Sequence, residues 1–296
     1  MSLTTTLLHD FLAGDIATTE LTAEASPRRY FRIESGSCPW LFVRSPQDAP
    51  IQITTWLASL GVRVPAIGAS TDGAYLVEDL GDIHLAHRAN LGCYQELMRT
   101  WSRFAFADLP SNIPNAKWAL DTSLFQKELR QFRQEYLVRF LGVNDTFAES
   151  CDAIARQAIA GPQALQHRDF HCRNILLPDS GLAIIDHQDL RTGPLFYDLA
   201  SLLTDAYIEL NQETRAFLLD YIPTLGAKFE LEPAVAQRHF QATAIQRVLK
   251  ALGTFGWLLN QGRGEYAIAE KRARSCAMTL LAEQDPTSDL LRAITP

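Results

Sequence analysis

No stretch of this 296-residue chain approaches the roughly 18 consecutive apolar residues that a membrane-spanning helix needs, and no charged leader followed by an apolar run opens it. A cytoplasmic protein without a membrane partner is therefore expected. Cysteine is sparse. Cys38, Cys93, Cys151, Cys172 and Cys276 are odd in number, widely spaced and include no CxxC pair, which fits reduced thiols rather than a disulfide framework. Positive charge is in deficit: 27 Lys+Arg against 34 Asp+Glu leave a net −7, the wrong sign for a general nucleic-acid binder. Internal repeats and low-complexity tracts are absent. What is present is ordinary globular composition, 47% apolar and 21% charged. The length allows a full core and two domains or lobes.

The apolar pattern changes period along the chain. Up to about residue 80 it reads as short strands (30–34, 40–43, 74–77) with one helix over 51–60, closed by Gly61. Ser35-Gly36-Ser37 forms a turn between the first two strands. After the polar break Glu78-Asp79-Leu80-Gly81 the spacing becomes helical. It does so over 85–106, 124–141, 146–159, 199–210, 214–221, 234–259 and 266–281. One hairpin, 174–177 with 182–185, interrupts this half. The expected fold is α+β and bilobal: a small β-rich N-lobe (1–80) and a larger, mostly helical C-lobe (81–296), with a ligand cleft between them.

Two polar clusters bracket that hairpin: His167-Arg168-Asp169-Phe170-His171-Cys172-Arg173-Asn174, and Asp186-His187-Gln188-Asp189. Buried polar groups need partners, and a hairpin can bring Asp169, Asn174 and Asp186 to one point. Phosphoryl transfer uses such a point, because its catalysis is mostly positioning and charge neutralisation. Asn174 and Asp186 offer the hard oxygens that Mg²⁺ prefers, and Asp169 is left to accept the proton of an attacking hydroxyl. The first cluster matches the H-R-D-x-x-x-x-N pattern of kinase catalytic loops. Asp and Asn also cap turns, but the offset to Asn174 and the Asp after the next strand favour catalysis. His167 packs and hydrogen-bonds to hold the loop. Asp198 reads as a first-turn helix acid that also braces the loop. Asp189 either orients the metal or makes a turn.

Protein substrates are disfavoured. Asp186 and Asp198 lie too close for a long activation segment, and no Ala-Pro-Glu follows. Ala25-Ser26-Pro27-Arg28-Arg29-Tyr30 stands where a glycine-rich loop is expected and contains no glycine. With His167…Asn174, Ile185-Asp186-His187-Gln188-Asp189 and Tyr197-Asp198-Leu199-Ala200, the chain resembles the aminoglycoside phosphotransferase-like family of small-molecule kinases. Ser26–Arg32, Glu78–Gly81, Gly193-Pro194 and Gln246–Gly253 make it most similar, within that family, to the anomeric kinases of bacterial cell-wall recycling. Those enzymes phosphorylate N-acetylmuramate and N-acetylglucosamine at carbon 1 with ATP.

The resemblance implies ATP as donor, Mg²⁺ as cofactor and an amino sugar as the small-molecule partner. It makes Asp169 the base and Asn174 and Asp186 the metal ligands. Backbone at Glu78 and Leu80 would meet adenine, and Ser26, Arg28 and Arg29 would lie over the phosphates. The strand 40–45 offers Arg44 where kinases commonly place a lysine, so either Arg44 or the Arg28/Arg29 pair carries that charge. Gln188 and Arg247 are candidates for the acceptor side. Two other readings stay open: an aminoglycoside, choline-like or other small-alcohol phosphotransferase, and a nucleotide-binding regulator without catalysis.

Overall fold

The computed structural model describes residues 3–21, 28–34 and 38–296. Ser26 and the turn at 35–37 lie outside the described residues. The chain divides into two compact units. One joins Met1–Leu85 to Ile175–Gln188; the other joins Ala86–Asn174 to Asp189–Pro296.

The first unit is built on an antiparallel sheet of β1 (Thr18–Glu20), β2 (Arg29–Ile33), β3 (Trp40–Arg44), β4 (Ile67–Thr71) and β5 (Ala74–Glu78), in the order β1-β2-β3-β5-β4. Side chains alternate across a strand, and the register Phe31↔Phe42↔Leu76 puts one apolar row on one face. The helix Leu3–Ala13 covers that row, with Phe11 stacked 4.3 Å from Phe42 and 5.5 Å from Phe31. The register Tyr30↔Val43↔Tyr75 makes the opposite row. The helix Ile51–Ser59 buries Ile53, Thr54 and Leu57 and gives way to Gly61 at φ 73°, a conformation glycine adopts without a Cβ clash. The two-residue strands Ile175–Leu176 and Ala183–Ile184 pair as the expected hairpin. The hairpin is tied to this unit by Leu177 N–H to Ile83 O (2.8 Å) and Ile184 N–H to Arg63 O (2.9 Å).

The second unit is helical around the long helix Pro233–Asn260. Proline opens it, since the first-turn N–H would be unbonded anyway, and Gly262 at φ 80° follows its end. Its core-facing residues Ile245, Val248, Leu249, Leu252 and Phe255 are buried with Phe125, Leu129, Phe132 and Tyr136. The period-3.6 pattern over 124–141 is one continuous helical run, but it changes pitch: Thr122–Gln131 is α and Phe132–Phe140 is π. Gly253 and Gly256 press against this π segment. A methyl on Gly253 would sit 2.8 Å from Phe132 Cα, and one on Gly256 2.9 Å from Glu135 O and Tyr136 Cα. Both contacts advance in the same direction, so the two helices run locally parallel.

Other helices end where polar side chains intervene. The run 85–106 splits because Asn90 caps a new helix, Leu91–Ala105, by accepting from Cys93 N–H (3.1 Å). The run 199–210 stops at Leu203, since Asp205 turns its carboxylate onto Cys172 N–H (2.8 Å) and Tyr207 N–H (2.9 Å). Helix Leu3–Ala13 and strands β1 and β4 carry too few periodic apolar residues to stand out in the sequence. Among the described residues no helix is long and apolar enough to cross a membrane.

Gly256→Ala is expected to destabilise the protein by about 1–3 kcal/mol, because backbone rather than a flexible side chain must move. Urea denaturation followed by circular dichroism checks this, and Gly264→Ala, where added bulk meets nothing, is the control.

Candidate active site

In the helical unit a two-stranded ladder, Gln163–Gln166 with Arg191–Pro194, delivers the chain into the 167–174 loop. Arg168 follows at φ 84°, strained for a residue with a side chain. Asp198 holds this backbone in place. Its Oδ2 accepts from His167 N–H (2.6 Å) and from the Trp101 indole N–H (3.0 Å), and its Oδ1 from Arg168 N–H (3.0 Å). The Asp198 N–H in turn donates to Gln166 Oε1 at 2.9 Å. Asp198 is fully buried, and burial pushes its carboxyl up to about 6, against the pull of His167 and of these donors. His167 is buried beside Phe170. Asp198 thus binds the backbone at the start of the loop, and His167 packs within it.

Asp169 is reached from a distant helix. Lys250 Nζ donates to Asp169 Oδ1 at 2.9 Å. Burial pushes the Asp169 carboxyl up, but the Lys250, Arg247 and Arg168 cations outweigh it and hold the group well below the usual carboxylate range. Asp169 is therefore an ionised acceptor at neutral pH. Asn174 Nδ2 donates to the Asp169 backbone carbonyl at 2.8 Å. That bond assigns the amide nitrogen to the loop and leaves the amide oxygen as its hard donor. Arg247 Nε donates to Ser201 Oγ (2.9 Å) and is largely buried.

A charge network extends from this point. Glu128 accepts from Gln246 Nε2 (2.9 Å) and Arg168 Nη2 (3.3 Å), and its Oε1 lies 3.9 Å from Lys250 Nζ. Arg168 also meets Asp189 at 3.4 Å, and Asp189 accepts from Arg191 at 2.7 Å. Asp189 is thus held between two arginines. Arg173 lies 3.8 Å over the Tyr207 ring, and His171 packs edge-on to the same ring. Burial pushes the His171 imidazole down to about 4, so it is neutral at pH 7.

In the β-rich unit the sheet alternation separates the candidate arginines. Arg44 lies over Phe11 (5.3 Å) and Arg29 over Phe31 (5.3 Å), on the face covered by the first helix. Arg29 is also exposed and paired through two bonds with Glu20 (2.7 and 2.6 Å). Arg28, buried, donates to Gln47 Oε1 (2.9 Å) and sits 3.6 Å from Asp186 Oδ1. Asp186, at φ 61°, also accepts from Gln188 Nε2 at 2.7 Å. Glu78 pairs with Arg63 (2.8 and 2.5 Å), and that pairing holds its carboxyl below its ordinary range. Leu80 is half-buried two residues on. His187 Nε2 bonds Thr54 Oγ1 at 2.7 Å.

Sequence reasoning missed Glu128 and set Lys250 aside in favour of Arg247. The only signal was the i,i+3 spacing of Arg247 and Lys250, which places two cations on one helical face; Glu128 gave none.

A β-rich unit and a helical unit carrying an H-R-D loop define a kinase-like phosphotransferase. The fold is shared with the microcompartment-associated aminopropanol kinase, at a TM-score of 0.62 and 19% identity, covering 98% of this chain and 99% of that one. Residues 17–230 match APH, the phosphotransferase enzyme family. The chain belongs to that family, and it is an enzyme that transfers a phosphoryl group to an alcohol acceptor. It is similar to the N-acetylmuramate/N-acetylglucosamine kinase of Pseudomonas aeruginosa, 28% identical over 278 residues (86% of this chain, 81% of that one). It is also similar to the enzyme of the same description from Neisseria meningitidis serogroup B, 29% identical over 285 residues (85% and 82%).

Asp198→Asn puts an NH₂ group against an N–H donor. It is expected to lower stability by about 2–3 kcal/mol and to reduce kcat through the loosened loop. Thermal melts and steady-state kinetics on the same preparation check both.

Proposed function

We propose that this enzyme transfers the terminal phosphoryl group of ATP to the anomeric hydroxyl of N-acetylmuramate or N-acetylglucosamine, giving the sugar 1-phosphate within cytoplasmic cell-wall recycling. The observation that carries the reading is an ionised carboxylate, Asp169, set among Lys250, Arg247 and Arg168 at the head of an H-R-D loop. Lys250 and Arg168 already occupy the carboxylates of Asp169, Glu128 and Asp189, which leaves less unpaired negative charge for an aminoglycoside or a choline-like amine to bind. A neutral sugar hydroxyl needs no such charge, and the muramate carboxylate is favoured. The names of the two curated relatives point the same way.

Asp169 accepts a hydrogen bond from the C1 hydroxyl and takes its proton as the C1 oxygen attacks the terminal phosphorus of ATP. The bond from that phosphorus to its bridging oxygen breaks, and ADP leaves with the electron pair. The anomeric hydroxyl is more acidic than an ordinary alcohol because the ring oxygen withdraws charge, so a weakly basic carboxylate suffices. Asn174 and Asp186 supply an amide oxygen and a carboxylate, a donor set that fits Mg²⁺; the ion would neutralise phosphate charge. Among Arg28, Arg29 and Arg44, Arg28 takes the phosphate-facing role, because it alone of the three neighbours Asp186. Backbone at Glu78 and Leu80 meets adenine. Gln188 and Arg247 serve the acceptor side, Arg247 as a buried charge.

The protein, ATP, Mg²⁺ and each sugar should yield a sugar 1-phosphate signal by phosphorus NMR. Turnover confined to aminoglycoside, choline or ethanolamine acceptors overturns the reading. Asp169→Asn should cut kcat by about 10²- to 10⁴-fold while ATP affinity, measured by calorimetry, stays near that of the parent.

A further inference from the structure

We propose that Lys250 is a positioning residue for phosphoryl transfer: its ammonium grips one oxygen of Asp169 and, braced by Glu128, fixes the carboxylate so that the other oxygen meets the acceptor hydroxyl. The proposal rests on the reading of Asp169 as base.

Lys250 Nζ bonds Oδ1 of Asp169 at 2.9 Å and lies 3.9 Å from Glu128 Oε1. Its side chain is only 14% exposed. A shielded ion pair is a poor source of net stability, since desolvation consumes most of its attraction. Its value lies in geometry. Asp169 follows the left-handed Arg168, on a loop whose backbone Asp198 fixes at His167 and Arg168. These contacts set the Asp169 backbone and leave the carboxylate torsion open. Asn174 binds the backbone carbonyl of Asp169 and not its side chain. Lys250 is the bond that restrains the carboxylate itself.

Lys250 is restrained in turn. Glu128, 8% exposed, is held through Oε2 by Gln246 and through Oε1 by Arg168. Gln246 and Lys250 share one face of the long helix at i,i+4. The ammonium is thus placed by one rigid helix and checked by a carboxylate on another. Reaction rates respond to such placement: misplacing a reacting group by about 1 Å lowers a rate on the order of 10²-fold.

The experiment compares parent, Lys250→Met, Lys250→Arg and Asp169→Asn, alone and with Lys250→Met, on ATP and N-acetylglucosamine or N-acetylmuramate. Lys250→Met should lower kcat by about 10- to 100-fold with the KM for ATP changed less than about twofold, and Lys250→Arg should recover part of the loss. In the Asp169→Asn background, Lys250→Met should cause no further fall in kcat; an additive fall overturns the proposal, because Lys250 then acts on something else. An unchanged kcat in Lys250→Met overturns it too. Should Lys250→Met melt early, Lys250→Gln takes its place. Acetylation of Lys250 by acetic anhydride, followed by peptide mass spectrometry, reads the pairing without turnover. The rate should rise several-fold in Asp169→Asn, and an equal rate rejects the pairing. A parent that phosphorylates neither sugar defeats the substrate reading, and the acetylation result still decides whether Lys250 grips Asp169.

Discussion

The active loop depends on one buried carboxylate. Asp198 receives two consecutive backbone N–H groups, His167 and Arg168, and the Trp101 indole. The left-handed turn at Arg168 carries a strain of order 1–3 kcal/mol, which persists only because these bonds over-determine it. The turn lies between the Gln163–Gln166 strand and Asp169. Without it the Asp169 side chain would leave the reach of Lys250, and the Arg168 side chain would not bridge Glu128 and Asp189. Fold and chemistry meet in that single group.

Legibility followed sequence distance. Asp169 and Asn174 are separated by only a few residues on one loop, so their type and spacing alone made them candidates. The aromatic and β-branched content of 30–34 and 40–43 was equally readable, and β2 and β3 formed there. The partners of Asp169 were not readable. Lys250 lies 81 residues away, and Glu128 meets Gln246 across 118; nothing local marks such pairs. The same limit applies to Arg28, Arg29 and Arg44, which look alike as charges. Their separation came from the pleat and from a first helix whose residues show too weak a period to be recognised. Capping side chains account for the helix boundaries: Asn90 and Asp205 are ordinary polar residues until their backbone partners are known.

Overall charge says little about the charges that face a single group. The chain is net −7, yet Asp169 faces Lys250, Arg247 and Arg168, with Glu128 and Asp189 paired to the same cations. Acidic side chains elsewhere form neutralised pairs, such as Glu78 with Arg63 and Asp79 with Arg32.

The glycine seam has a consequence for how this family member can vary. Gly253 and Gly256 set the long helix against the Phe132–Phe140 segment, backbone to backbone, and Lys250 and Glu128 stand one turn before those contacts on their respective helices. An α-helix rotates by about 100° per residue. A single-residue insertion or deletion between Lys250 and Gly253 would swing the ammonium by about 100° around its cylinder, away from Asp169, while the seam stayed put. Length in that interval is therefore under tighter constraint than side-chain identity at the intervening positions 251 and 252.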